Sequence, residues 1–190
     1  MYKFVLILLS VVGMVTASCA QQRQENMKKE QSNPKILVAY FSATGTTARA
    51  AKKLADVTGG ELYAITPAQP YTSADLDWHD EQSRSSVEMN DSKARPALKG
   101  RKENIADYDV VFIGYPIWWN LAPRIINTFI ESHDLKGKTV TPFATSGGST
   151  LAESATSLKK TYPALNWKEG RLLNHTDEQS IRAWLDELEY

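Results

Sequence analysis

The chain has 190 residues, of which 42% are hydrophobic and 23% charged. This is the balance of a globular domain, and it excludes collagen-like and wholly disordered classes. Lys plus Arg equals Asp plus Glu, 22 against 22, so the net charge carries no basic nucleic-acid footprint. The single cysteine rules out an intramolecular disulfide and a cysteine-built zinc cluster.

In chain order, Met1-Tyr2-Lys3 is a short positive start, followed by the apolar run Phe4–Val15 and the small residues Thr16-Ala17-Ser18. That is a secretory signal layout, and the run falls short of the roughly 18 residues of a membrane span. Cys19 follows directly, which resembles a bacterial lipoprotein signal with Cys19 as the lipidated residue, although Thr16 stands where such signals usually carry an aliphatic side chain. The alternative is an ordinary signal peptide cleaved near Ser18 or Ala20. The expectation is a signal peptide over 1–18, a flexible polar tether over 19–34 and a folded domain over 35–190, held at the cell envelope by lipid alone. Without a functional signal the protein is cytoplasmic.

Ile36–Phe41 and Val110–Tyr115 are continuous apolar runs of strand length, the pattern of strands covered on both faces in a parallel sheet. Glu61–Ile65, Thr139–Ala144 and Asn166–Leu173 are weaker strands. Helices are expected at Thr47–Val57, stopped by Gly59-Gly60, at Ala122–Ile130 and at Thr150–Tyr162. A last helix opens on Thr176-Asp177-Glu178-Gln179, a capping-box pattern, and carries Ile181, Trp184, Leu185 and Leu188 on one stripe. This alternation specifies an open α/β sheet with right-handed crossovers. The connection from Thr66 to Asp109 is longer than one helix requires, and its Tyr71, Trp78 and His79 suggest a partly helical excursion near the functional edge.

Ligands of such sheets bind beyond the carboxyl ends of the strands. Three loops there are informative. Ser42-Ala43-Thr44-Gly45-Thr46-Thr47 supplies hydroxyls and then free helix N–H groups, which suits a terminal phosphate. It lacks the lysine of a nucleoside-triphosphate loop. Gly114–Pro123 contains Trp118-Trp119, flat apolar surface for a planar ring, with one indole expected in the core and one on a ligand. Thr145-Ser146-Gly147-Gly148-Ser149 lets backbone groups approach a ligand closely. His79, His133 and His175 are scattered and read as structural or exposed, and no metal-ligand spacing stands out.

Together, S-x-T-G-x-T after the first strand, G-Y-P-I-W-W after the third and T-S-G-G-S after the fourth resemble the flavodoxin family, from Lys35 to the end. The resemblance implies a five-stranded parallel sheet of order 2-1-3-4-5 with helices on both faces, and FMN as cofactor. Ser42, Thr44, Gly45, Thr46 and Thr47 would hold its phosphate. Pro116, Ile117, Trp118, Trp119 and Asn120 would line the isoalloxazine, and Ser146, Gly147 and Gly148 would complete the pocket. The third loop has no aromatic residue, which leaves the outer ring face open or covered by Tyr71 or Trp78. Neither loop at the ring carries Asp or Glu, so reduction should be easier than in acidic flavodoxins. The implied function is electron transfer, or NAD(P)H-dependent reduction of a quinone-like small molecule. The alternative is a non-redox FMN-binding or interaction module.

Overall fold

The computed structural model describes residues 33–175 and 177–189. The signal peptide, Cys19, most of the tether and Thr176 lie outside the described residues. The chain divides into two units, Met1–Pro34 and Lys35–Tyr190.

The second unit is a parallel sheet with crossover helices. Its elements are β1 (Ile36–Tyr40), α1 (Thr46–Thr58), β2 (Glu61–Ala64), α2 (Arg84–Asn90), β3 (Val110–Pro116), α3 (Arg124–Ser132), β4 (Thr139–Thr145), α4 (Ala152–Thr161), β5 (Asn166–Trp167), β6 (Arg171–Leu172) and α5 (Glu178–Glu187). The order is β2-β1-β3-β4-β5, with β6 also paired to β4. Order 2-1-3-4-5 is therefore observed, with the fifth strand in two pieces.

Alternation along β3 sorts the core into two layers. Val111, Ile113 and Tyr115 face α3 and α4, packing with Ile125, Ile126, Phe129, Ala155 and Leu158. Val110 and Phe112 face α1 and α5, packing with Leu54, Ile181, Trp184 and Leu185. Both faces of β3 are covered, which is why its sequence shows no polar alternation. Trp184 meets Phe112 edge-on at 5.7 Å.

The ends of the elements follow local chemistry. α1 closes on Gly59 at φ 67°, the left-handed conformation glycine adopts without strain. α3 begins at Arg124, two residues later than the expected Ala122, because Pro123 forms its N-cap and holds Ala122 out of the helical region. α5 is capped by Asp177, whose carboxylate accepts from Ser180 N at 2.8 Å.

The expected single strand 166–173 is broken at Lys168–Gly170, and the cause lies across the sheet. Val140 O accepts from Lys168 N and Ala144 O accepts from Leu173 N, so alternation turns Pro142 toward the same neighbour. Pro142 has no N–H to give. The chain closes up there instead, and a Cβ on Gly170 would lie 2.3 Å from Pro142 O.

The excursion between β2 and β3 is closed at its base. Pro67 pairs antiparallel with Leu98, through Ala68 N to Ala97 O and Lys99 N to Thr66 O. Thr72 and Asp75 form a reciprocal cap: Thr72 N and Oγ1 donate to the carboxylate, and Asp75 N donates to Thr72 Oγ1. The cap starts only one 3₁₀ turn, Ala74–Leu76. The excursion is thus partly helical and reaches the carboxyl edge of the sheet, as its composition suggested.

Candidate functional site

The ends of β1, β3 and β4 converge on a cavity of about 450 Å³, lined on one side by Ser42, Thr44, Thr46 and Thr47 and on the other by Pro116, Ile117, Trp118 and Trp119. Gly147 closes it from the third loop, and Leu76, Trp78 and Ser85 close it from the excursion. No lining side chain is charged, and none is histidine, cysteine or tyrosine. The hydroxyls therefore have no neighbouring base to make a nucleophile of them.

The hydroxyl loop is shaped around Gly45 at φ 88°. Ser42 Oγ accepts from Gly45 N at 3.1 Å, which folds the loop back on itself. Gly45 is also the N-cap of α1 and has no side chain to cap it. The first intrahelical bond is Arg49 N to Gly45 O, so the amides of Thr46, Thr47 and Ala48 are open to an acceptor in the cavity. An anion is the acceptor that a helix N-terminus favours. Thr47 is buried and shares its hydroxyl with Thr145, 2.8 Å away, leaving Thr44 and Thr46 as the threonine side chains exposed in the loop.

One charged group missed in the sequence stands over this loop. Arg49, one turn into α1, donates from Nη2 to Thr46 Oγ1 at 3.3 Å. The i, i+3 spacing from Thr46 was the available signal.

The two tryptophans divide their roles. Trp118 packs edge-on against Phe41 at 5.6 Å and Tyr71 at 5.4 Å, so its indole forms a fixed wall backed by core. Trp119 is 47% exposed. The pair sits on a two-residue hairpin: Trp118 and Leu121 exchange both backbone hydrogen bonds, with Trp119 at φ 46° and Asn120 at φ 62°. Positive φ at both central residues is the type I′ turn. Asparagine tolerates that conformation, whereas tryptophan is strained by it.

Asn120 lies outside the lining. Its Oδ1 accepts from Ser149 Oγ at 2.5 Å and ties the tryptophan hairpin to the third loop. Ser146 and Gly148 also lie outside it. Ser146 Oγ accepts from Gly148 N and Ser149 N, and Asn174 grips the Ser146 backbone at both N and O. The third loop is pre-folded and presents Gly147.

Tyr71 backs Trp118 from the excursion. Its hydroxyl donates to Glu88, its ring lies 4.0 Å from the Arg84 guanidinium, and Arg84 pairs with Glu88 at 2.6 Å. Burial, reinforced by the Glu88 carboxylate, pushes the Tyr71 phenol far up, so it stays protonated. Trp78 is 66% exposed and stacks with His79 at 3.5 Å between ring centroids. Of the two residues expected to cover the outer ring face, Trp78 lines the cavity and Tyr71 stands behind Trp118. The other histidines are remote: His175 is exposed, and His133 is buried and donates from Nδ1 to Phe129 O. Ser85 and Leu76 had no signal in the sequence, because their place depends on how the excursion folds back.

The sequence model of the flavodoxin family matches residues 35–188. Among solved structures, a proposed flavoprotein from Bacteroides eggerthii is 76% identical, covering 83% of this chain and 99% of that one, with a TM-score of 0.83. A second, from Bacteroides uniformis, is 59% identical over 82% of this chain and 99% of that one, with a TM-score of 0.79. A Lactobacillus acidophilus flavoprotein, solved in complex with FMN, shares the fold at 19% identity and TM-score 0.62, over 83% of this chain and all of that one. A search of curated proteins finds no match. With a family match running through the whole sheet and every loop of the cavity, the chain belongs to the flavodoxin family.

Proposed function

We propose that this domain binds FMN and works as a redox flavoprotein that passes electrons to a small quinone-like acceptor at the exposed side of the cavity. The observation that carries this reading is the union, in one uncharged cavity, of an uncapped helix N-terminus ringed by hydroxyls with a rigid indole wall. Bound FMN supplies one- and two-electron chemistry that no lining side chain offers.

The residues divide the work. The amides at the start of α1, with the Ser42, Thr44 and Thr46 hydroxyls, hold the phosphate, and Arg49 adds a positive charge at the rim. Trp118 orients the ring system from its fixed place against Phe41 and Tyr71. Trp119 covers an edge, and the Gly147 backbone meets the polar rim of the ring. The lining contains no carboxylate, so negative charge gained on reduction meets no like charge there. The midpoint potential is therefore less negative than in a carboxylate-rich pocket. Supporting direct chemistry on a small molecule, the third loop brings no aromatic side chain to the cavity, and the Trp78 that lines it from the excursion is itself 66% exposed.

The test is anaerobic mixing of FMN-loaded protein with NADH or NADPH, followed by a benzoquinone. The reading expects bleaching of the flavin absorbance by one of the nucleotides and its return on quinone addition, with steady turnover when both are present. Protein that binds FMN but is neither reduced by the nucleotides nor reoxidised by the quinone would instead be a non-redox FMN-binding module. We further propose that Cys19 carries a lipid anchor which places the domain at the cell envelope.

A further inference from the structure

On the flank of the domain, away from the hydroxyl loop, a second cavity of about 220 Å³ opens between α3 and α4, beside residues 92–95. Ser92, Arg95, Arg124, Asn127, Ser157 and Thr161 contribute its polar groups, and no carboxylate lines it.

The charges there are unbalanced. Arg95 is matched: its Nε and Nη2 grip the two oxygens of Glu131 at 2.7 and 2.8 Å, and Nη1 donates to Ser92 O and Ala94 O. Arg124 is not. Its Nε and Nη2 donate to Glu88 O and Met89 O, at the end of α2, and among the described residues it makes no ion pair. Arg124 is also the first residue of α3, the end at which the helix dipole disfavours a cation. Burial and the neighbouring Arg95 both work against its charge, and Asp91 and Tyr162 offset them only in part. From α4, Ser154, Ser157 and Thr161 line the cavity together with Leu158, so three of the four positions of a stripe that is ordinarily apolar carry hydroxyls.

We propose that this cavity binds a small oxyanion, the phosphate or carboxylate group of a soluble molecule, with Arg124 as its cation and Ser157 and Asn127 as neutral donors. An oxyanion there supplies the charge that Arg124 lacks and accepts from its remaining nitrogen Nη1, forming the charge-assisted contacts for which arginine geometry is suited. The site borders the flavin-side hairpin, since Leu121 and Ala122 also line it. Arg124 further holds α2, whose Glu88 accepts the Tyr71 hydroxyl behind Trp118.

The experiment titrates the full chain with sodium phosphate, and separately with sodium acetate, against chloride at matched ionic strength. It reads the thermal midpoint and the amide chemical shifts. The Thr44→Ala, Thr46→Ala double variant runs in parallel to weaken any phosphate held by the hydroxyl loop. The proposal expects a rise of about 3 °C at ten times the dissociation constant, with shifts at 124–127 and 154–161 that persist in the double variant. A response to phosphate alone identifies a phosphoryl ligand, and a response to both anions identifies a general oxyanion site. Ser157→Glu, which brings a carboxylate to Arg124, should raise the midpoint without added anion and abolish the response. Arg124→Gln should abolish it too, and Arg124→Lys should retain part of it. Shifts confined to 42–47, or an unchanged response in Ser157→Glu, would overturn the proposal. Neither result depends on whether FMN binds.

Discussion

At Trp119 the backbone is held at φ 46° by a hairpin whose neighbours supply both closing hydrogen bonds. A bulky residue in that region costs roughly 1–3 kcal/mol, and the strain serves to aim an indole at the cavity. Trp119→Gly should therefore raise apo-protein stability by about 1 kcal/mol in urea unfolding. The same variant should weaken FMN binding by roughly 1–3 kcal/mol through lost aromatic burial. A loss of both stability and affinity would mean that the indole is a core residue. His133 gives a prediction in pH. Its Nε2 accepts from Lys102 N at 2.9 Å, and burial holds its pKa below the usual histidine value of 6.5. The unfolded chain thus takes up the proton before the folded one does. Stability from this group is present above about 6.5 and is lost as the pH falls toward the depressed folded value. Urea midpoints between pH 8 and 5 should decline more steeply for wild type than for His133→Gln, and parallel curves would refute the assignment. At this scale the place of Ser42, Thr44 and Thr46 at the cavity was legible, because they join an apolar strand to a helix at the carboxyl edge of the sheet. Arg49 and Ser85 were not: one reaches back a turn along its helix, and the other comes from a distant segment.

Among the elements, β3 was readable because burial on both faces left a continuous apolar run, and α5 because burial of one face left a periodic stripe. β5 and β6 were misread as one strand because the interruption is dictated by Pro142 on the neighbouring strand, which leaves no trace in residues 166–173. The excursion showed polarity without a stripe: its Thr72–Asp75 cap starts only a single turn, and the Ser83 cap starts only the seven-residue α2. Close packing between strands offers a direct check. A Cβ on Gly114 would lie 2.1 Å from the Phe143 ring, inside the layer that α1 and α5 cover. Gly114→Ala should cost about 1–3 kcal/mol through overpacking, seen as a lower urea midpoint with unchanged slope. Gly114→Ala with Phe143→Leu should recover part of the loss, since the shorter side chain makes room. A neutral single variant would show that β3 and β4 are not packed as described.

For the molecule as a whole, the sheet fixes three loops at one edge, and Gly147 of the third loop closes the cavity together with Leu76, Trp78 and Ser85 of the excursion. The N-terminal residues bear on where the domain resides. A lipoprotein reading of Cys19 predicts that wild-type protein fractionates with membranes and that Cys19→Ser does not. Wild type found free in the cytoplasm with Met1 intact would refute it. Under the lipoprotein reading, export of the unfolded chain would require FMN to be taken up after the domain folds outside. The folded domain would then have to capture FMN by itself. The measurement that tests this most directly is a fluorescence titration of apo-protein with FMN and, in parallel, with riboflavin. The expected result is quenching that saturates at micromolar FMN, much weaker riboflavin binding, and loss of that preference in the Thr44→Ala, Thr46→Ala double variant. No quenching at micromolar FMN would contradict the central claim, and equal binding of FMN and riboflavin by wild type would contradict the phosphate role of the hydroxyl loop.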